Sequence, residues 1–361
     1  MFDTHAPAPS QRDEDSNNVN HDRQADATVT PMQLLAMADG LLIHQALYAV
    51  AKLGVADLLQ DGPRTTADIA RQLNVSEAAL YRVLRVLASE GVFEEIGSQT
   101  FMNTGLSQFL RTGTPGSIRA LMIFRGSGHF FAPFGEILYS VQTGESARTK
   151  IDGQNGFETL RRDPELAAIF DDAMTNLSEL VAPDIASAYD FGQWGSVMDV
   201  GGGNGVLLAE ILKAHTTLHG VLADQPHVLE RASQRGFLSG ALAKRTAMQN
   251  CDFFREIPSG CRAYVMKSVL VDWNDEQACT ILLNCRQAVS KDGALLVVDF
   301  SVAEDDLSSR GKLRDLTMLV LTGGKVRTIR EYRDLLSRSG FRLNNVIAVP
   351  GEISILEALP A

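Results

Sequence analysis

Cysteine is scarce in this chain, with only Cys251, Cys261, Cys279 and Cys285 among 361 residues. All four lie in one C-terminal region, and no two of them have Cys-x-x-Cys spacing. Reduced, partly buried thiols in a cytoplasmic protein, and no metal site, are the expectation. Basic charge is also short. Lys and Arg number 33 against 44 Asp and Glu, a formal net charge of −11. Nucleic-acid phosphate needs a basic face, which argues against nucleic acid as the main partner. No unbroken apolar run reaches the roughly 18 residues of a membrane span, and the N-terminus lacks a signal-peptide core. No membrane association is therefore expected. Internal repeats and low-complexity tracts are absent. What is present is 45% hydrophobic and 21% charged residues, a globular balance in a chain long enough for two domains.

Residues 1–28, "MFDTHAPAPSQRDEDSNNVNHDRQADAT", are polar and almost free of large apolar side chains. They read as a disordered tail. Residues 29–115 begin with "LLAMADGLLIHQALYAVAKLGVADLL", apolar at helical spacing as far as Leu59 and stopping near Asp61-Gly62-Pro63. Helix, turn, helix and a hairpin turning at Gly97-Ser98 follow, a winged-helix pattern. Such a unit could put Arg82 and Arg85 into a DNA groove or serve as a dimer scaffold. The acidic balance and the apolar set Leu80, Val83, Leu84 and Leu87 favour the scaffold. Residues 116–190 continue as helices, rich in Phe, Met and Gly around His129, and could roof a pocket in the next domain. Over residues 191–361 the rhythm becomes strand–helix alternation. That predicts an α/β fold with a Rossmann-like, mostly parallel sheet, binding ligands at the carboxyl ends of its strands.

"DVGGGNG", from Asp199 to Gly205, joins the first of these strands to its helix. Gly201 and Gly203 let backbone N–H groups approach a ligand. A dinucleotide fingerprint would need glycine at 206, where Val206 stands. Asp199 disfavours a pyrophosphate there and welcomes an ammonium or sulfonium. Asp224, ending the second strand, is placed to accept both hydroxyls of an adenosine ribose. Asp252 and Phe253 can bond an exocyclic amine and cover a purine face. Together these features describe S-adenosylmethionine (SAM).

With "YDF", "VMDVGGGNG", "GVLADQPHVLERA", "CDFF", "MKSVLVDWNDEQA", "LTMLVLTGGKVRT" and "LLSRSGFRL", the chain from Leu34 onward resembles the metal-independent small-molecule O-methyltransferases. These are the plant caffeate and hydroxyindole type, with bacterial antibiotic-pathway relatives. The resemblance implies a SAM-methyltransferase sheet behind a winged-helix dimerisation domain, a homodimer, and SAM contacts from Gly201, Asp224, Asp252, Phe253 and Lys267. It also exposes a departure. The family's base is a His directly before the Asp-Trp pair, and here that place is Val271. Ser268 stands where a second His is often found, and Val326 where a Glu positions the base. Only an acidic place at Asp299 survives. The histidines His215, His219 and His227 are expected to lie around the second strand, remote from the site. Among candidate catalytic groups, His129 comes first, then Asp299, with Asp272 in the exposed-looking turn of "VDWND". The expected substrate pocket is apolar: Met122, Phe124, Phe130, Phe131, Met174, Val271, Met318 and Val326. Methyl transfer to a small aromatic or polyketide-like metabolite, without the histidine, is the leading expectation. An O- or N-acceptor is compatible, since an acidic hydroxyl or an amine needs little base assistance. A non-methylating hydroxylase, cyclase or pericyclase that keeps SAM as a bound cation stays open, as does a DNA-binding regulator.

Overall fold

The computed structural model describes residues 30–154, 156–301 and 310–361. The tail expected over residues 1–28 lies outside them. Compact units divide at Leu42 and Ile43. Helix α1 (Pro31–Leu53) buries only Val50 and Ala51, and Met32, Leu34, Leu35, Met37, Leu41 and Leu42 are exposed. By length and composition alone α1 could cross a membrane, with a mean hydropathy of 1.5. Looking for unbroken apolar runs missed this, because Gln33, Asp39 and His44 interrupt the run while leaving its mean high. The helix also ends sooner than its periodicity suggested. Gly54 takes φ 71°, a left-handed conformation open to glycine, before a single turn of α2 (Val55–Leu58).

Next come β1 (Arg64–Thr65), α3 (Thr66–Leu73), α4 (Glu77–Ser89), β2 (Phe93–Gly97) and β3 (Thr100–Asn103), the strands forming a small antiparallel sheet in the order β1-β3-β2. Thr65 and Ser76 cap the two helices by accepting from backbone N–H groups of Asp68 and Ala79. Leu80, Leu84 and Leu87, on one helical face, pack with Val55, Ile69, Phe93 and Phe101. Five short helices and one long one follow: α5 (Arg119–Gly126), α6 (Gly128–Phe131), α7 (Ile137–Thr143), α8 (Ala147–Asp152), α9 (Gly156–Arg162) and α10 (Pro164–Ala188). Gly126 is required by packing, since a Cβ there would stand 2.2 Å from Tyr48 Cβ.

The catalytic sheet is built from β4 (Ser196–Val200), α11 (Val206–Ala214), β5 (His219–Asp224), α12 (Pro226–Arg235), β6 (Thr246–Asn250), β7 (Ala263–Lys267), α13 (Asp275–Ala288) and β8 (Ala294–Phe300). It is completed by α14 (Arg310–Leu321), α15 (Ile329–Arg338), β9 (Phe341–Val349) and β10 (Ile353–Pro360). Strand order is β6-β5-β4-β7-β8-β10-β9. The first five run parallel, and β10 is antiparallel to both β8 and β9. Successive strand residues face opposite sides. Val197, Val265 and Leu296 join the core under α11, while Met198, Tyr264 and Leu295 join the one under α13 and α15. Burying both faces explains why these strands read as unbroken apolar runs. Full burial of each such side chain contributes about 1.5–3 kcal/mol. The order reverses beside β4, so the β4 and β7 ends flank the crevice where such sheets bind ligands.

Candidate active site

A cavity of about 730 Å³ opens over the carboxyl ends of β4, β5 and β7, and Asp199, Gly201, Gly203, Asp224, Asp252, Phe253, Lys267 and Asp272 all line it. The glycine loop is pinned to the sheet by Gly201 N–H donating to Ala223 O at 2.8 Å. Gly201 has φ 69°, and a Cβ there would meet Val269 Cγ2 at 3.0 Å. A side chain would fill the space that lets backbone come close to a ligand. Asp224 accepts from the backbone N–H of Gly203 at 2.9 Å and of Gln225 at 2.7 Å. Burial pushes its pKa up, and these two donors oppose the push. Each carboxylate oxygen retains a lone pair for a further donor such as a ribose hydroxyl.

Asp199 keeps an unmet acceptor in this half of the cavity. It is 1% exposed, and its Oδ2 has no hydrogen-bond partner. Burial raises its pKa to about 7, with Lys267 pulling down and Asp224 pushing up. Burial in turn lowers the pKa of Lys267. A bound cation near Oδ2 would favour the ionised form of Asp199. At the opposite edge, Asn284 Nδ2 donates to Phe253 O at 2.9 Å. Phe253 meets Phe254 and Trp273 in a cluster of tilted and edge-on rings, and Phe157 stacks on Trp273 at 5.4 Å between centroids. Ribose, purine and a cationic centre thus each find a fitting group.

Around the turn after β7 the construction differs. The lining passes from Val269 to Asp272 without Leu270 or Val271, both fully buried. Trp273 is buried too, so the turn that looked exposed shows solvent only its Asn274-Asp275 end. Arg327 holds it. Its Nε donates to Asp275 Oδ1 at 2.9 Å, Nη1 to Leu270 O at 2.8 Å, and Nη2 to Trp273 O at 2.8 Å. From Gly324, a Cβ would lie 2.2 Å from Val271 O, so glycine is needed for the two loops to touch. Val271, Met318 and Val326 form one buried cluster with Phe300 against it. Asp272, held on the cavity side, has its pKa raised to about 7 by burial, against the pull of Arg314. Asp299 is not among the lining residues. It accepts from Tyr332 OH and Phe300 N–H, each at 2.9 Å, and burial raises its pKa.

The remaining candidates scatter. Met122, Phe124, Phe130 and Met174 share one roof cluster, of which only Met174 lines the cavity. Phe131 stacks instead on His44. His129 packs near Phe124 and is not a lining residue. Burial, with Arg148 next, drops its pKa to about 4, so it is neutral at pH 7. His227 corrects an expectation. It lines the cavity, because α12 starts almost directly from the ligand-binding end of β5. Sequence reasoning also missed Phe157, Trp273 and Arg314. Trp273 lay in a stretch already singled out. Phe157 and Arg314 had no local signal, being brought in by helices distant in sequence.

A family model described as the O-methyltransferase domain matches residues 135–342, and one described as the O-methyltransferase dimerisation domain matches residues 35–113. Phenazine O-methyltransferase PhzM of Lysobacter antibioticus is 37% identical over 342 residues, 95% of this chain and 100% of that protein. Aclacinomycin 10-hydroxylase RdmB of Streptomyces purpurascens is 35% identical, over 90% of this chain and 89% of that one. Among solved structures, that of LaPhzM superposes with a TM-score of 0.88 at 38% identity, covering 92% of this chain and 100% of that chain.

Proposed function

This chain belongs to the O-methyltransferase family, whose cofactor is SAM, and from that premise we propose that it methylates a small aromatic or polyketide-like secondary metabolite without a histidine base. The observation that carries the reading is the glycine-loop cavity, with Asp224 at one strand end and the orphaned Asp199 Oδ2 beside it. SAM, when bound, supplies an electrophilic methyl group. Asp224 would hold the ribose hydroxyls, Asp252 and Phe253 the adenine, and Asp199, with Gly201, Gly203 and Lys267 around it, the charged end. Val271 and Val326 stand where the family places its base and a positioning Glu, and they pack with Met318 as an apolar wall.

Proton removal then falls to Asp272. It lines the cavity, and a pKa of about 7 matches a general base working near neutrality. An acceptor hydroxyl with a pKa near 7 would lose its proton to such a carboxylate at almost no cost, whereas one near 10 would cost about 4 kcal/mol. Besides burial, the charge of Asp299 pushes the pKa of Asp272 up, and His129 is a packed roof residue. We read α1 and the rest of residues 29–115 as the surface that meets a second copy, because the exposed apolar stretch of α1 falls largely within the matched dimerisation domain. An obligate interface of this kind would be large and hydrophobic.

A second reading, in which SAM stays bound as a cation while another reaction occurs, has support from the hydroxylase relative. Mass spectrometry separates the two. Purified protein incubated with SAM and the acceptor should yield a product heavier by one methyl group, with matching S-adenosylhomocysteine. A product without that group, formed only in the presence of SAM, would overturn methyl transfer and favour the second reading.

A further inference from the structure

Four buried side-chain atoms on residues lining the cavity lack a hydrogen-bond partner among the described residues: Asp171 Oδ2, Arg231 Nε, Asp199 Oδ2 and Asn204 Oδ1. The first two are held in one ion pair. The other two are both acceptors, on residues 1% and 7% exposed, and both belong to the glycine loop. An unmet acceptor in a protein interior is costly, and a ligand donor removes that cost. The sulfonium of SAM carries no hydrogen, so it can attract Asp199 but cannot bond an amide oxygen. The α-ammonium has three donors and can serve both acceptors.

On its other side Asn204 is bonded to the roof. Its Nδ2 donates to Thr175 Oγ1 at 2.8 Å. Thr175 belongs to the stripe that α10 presents to the cavity at helical spacing, formed by Ala167, Phe170, Asp171, Met174, Thr175 and Ser178. The two halves of α10 are held differently. Ala182, Ile185 and Ala186 are packed into the core under α11. Further back, Ile169, Phe170 and Met174 belong to the small roof cluster. This roof half is tied to the sheet domain by Asp171 to Arg231, Asp172 to Arg235 and Thr175 to Asn204. Pro183 lacks the N–H that would bond Glu179 O, a weak point between the two halves. Only the tie through Asn204 has an acceptor to spare.

We propose that Asn204 is a positioning residue that couples the cofactor to the roof. Its Oδ1 accepts from the α-ammonium of SAM while its Nδ2 holds Thr175, so the cofactor's amino end sets the wall that Met174 presents to the acceptor. The amide is then bonded on both sides, and the roof half of α10 is fixed when the cofactor is bound. A cofactor without its amino group would leave Oδ1 unmet and the roof looser. This inference rests on the proposed placement of SAM in this cavity and not on methyl transfer, so it can be tested without turnover.

The test compares three ligands by calorimetry: S-adenosylhomocysteine, its analogue with hydrogen in place of the α-amino group, and 5′-methylthioadenosine, which lacks the amino-acid end. Asn204→Ala should weaken S-adenosylhomocysteine about tenfold or more and move the other two less than about threefold, which also reports a folded site. Equal weakening of all three, or no weakening, overturns the role. Hydrogen exchange over residues 164–178 reads the roof. At saturation, S-adenosylhomocysteine should slow exchange there about tenfold or more beyond the desamino analogue, and Thr175→Val should abolish the difference. Equal protection by both ligands, or a difference that survives in Thr175→Val, overturns the coupling. The ligand comparison on the unaltered protein stands even if a variant fails to fold. Failure of the cofactor placement would appear as no binding of S-adenosylhomocysteine or methylthioadenosine, and would take the inference with it. Failure of methyl transfer alone would appear as absent methylated product with the exchange difference intact.

Discussion

The cofactor end of this cavity and its acceptor end are built on different principles. At the cofactor end, Asp199, Gly201, Gly203, Asp224, Asp252 and Lys267 all sit at or just beyond the ends of neighbouring parallel strands, so chain order and sheet order together bring them to one place. Backbone groups do much of the work there, as with the two N–H donors to Asp224. The acceptor end is assembled from α9, α10 and the turn after β7, and the turn is held by side chains. Arg327 fixes the turn, and Gly324 lets two loops touch. An end made from a sheet edge can be reused for one cofactor. An end made from helices distant in sequence can be altered for a new substrate without disturbing the other.

The largest effect that should sharpen this contrast is on stability. Arg327→Met removes the donors to Leu270 O and Trp273 O and leaves both carbonyls buried. It should cost about 3–5 kcal/mol by denaturant unfolding. A loss under about 1 kcal/mol would mean that the turn holds itself. Next is Asp272→Asn, which should lower turnover about 10²-fold or more. With a pKa of about 7 in the folded protein, the carboxylate form prevails above that pH. The rate should therefore fall about tenfold per unit as pH drops below 7, and the Asn variant should lose this limb. A profile flat down to pH 5 would remove Asp272 as the base.

Asp224→Ala deletes two charge-assisted contacts worth about 1.5–3 kcal/mol each, and SAM affinity should drop at least about tenfold by calorimetry. Acceptor binding should change far less, if the two ends are as separate as their construction suggests. Smallest on catalysis is Val271→His. Placing imidazole in the fully buried cluster with Met318 and Val326 leaves its nitrogens without partners and should cost about 1–3 kcal/mol of stability. The native reaction should run no faster. A strong rise in turnover would show that the valine is a defect and not part of a specialised wall.

How much of the site was legible follows the same division. The strand–helix alternation, the glycine loop and the acidic strand ends could be read from local pattern, because a residue at a strand end is at the crevice wherever the strand lies in the sheet. His227 was misjudged, since nearness to β5 was taken as distance from the site when it is the reverse. The length of α1 was read past Gly54 because helical periodicity continues there, although a single left-handed glycine turns the chain. For Phe124, Phe130 and Phe131, composition marked a roof but could not distinguish lining from packing. Only Met174 of the roof set reaches the cavity.

By itself the amino-acid sequence determined the doubly wound sheet, the cofactor-binding loop and the helical region ahead of them. Each follows from residue periods and turn chemistry that act over a few neighbours. Tertiary structure alone decided that Val271 is walled off while Asp272, one residue later, meets the cavity. It also decided that every side-chain nitrogen of Arg327 finds an oxygen, while the Nε of Arg314 has no partner among the described residues. Those outcomes depend on which oxygens and rings from remote segments come within a few ångströms, and burial then sets the charge each group can carry.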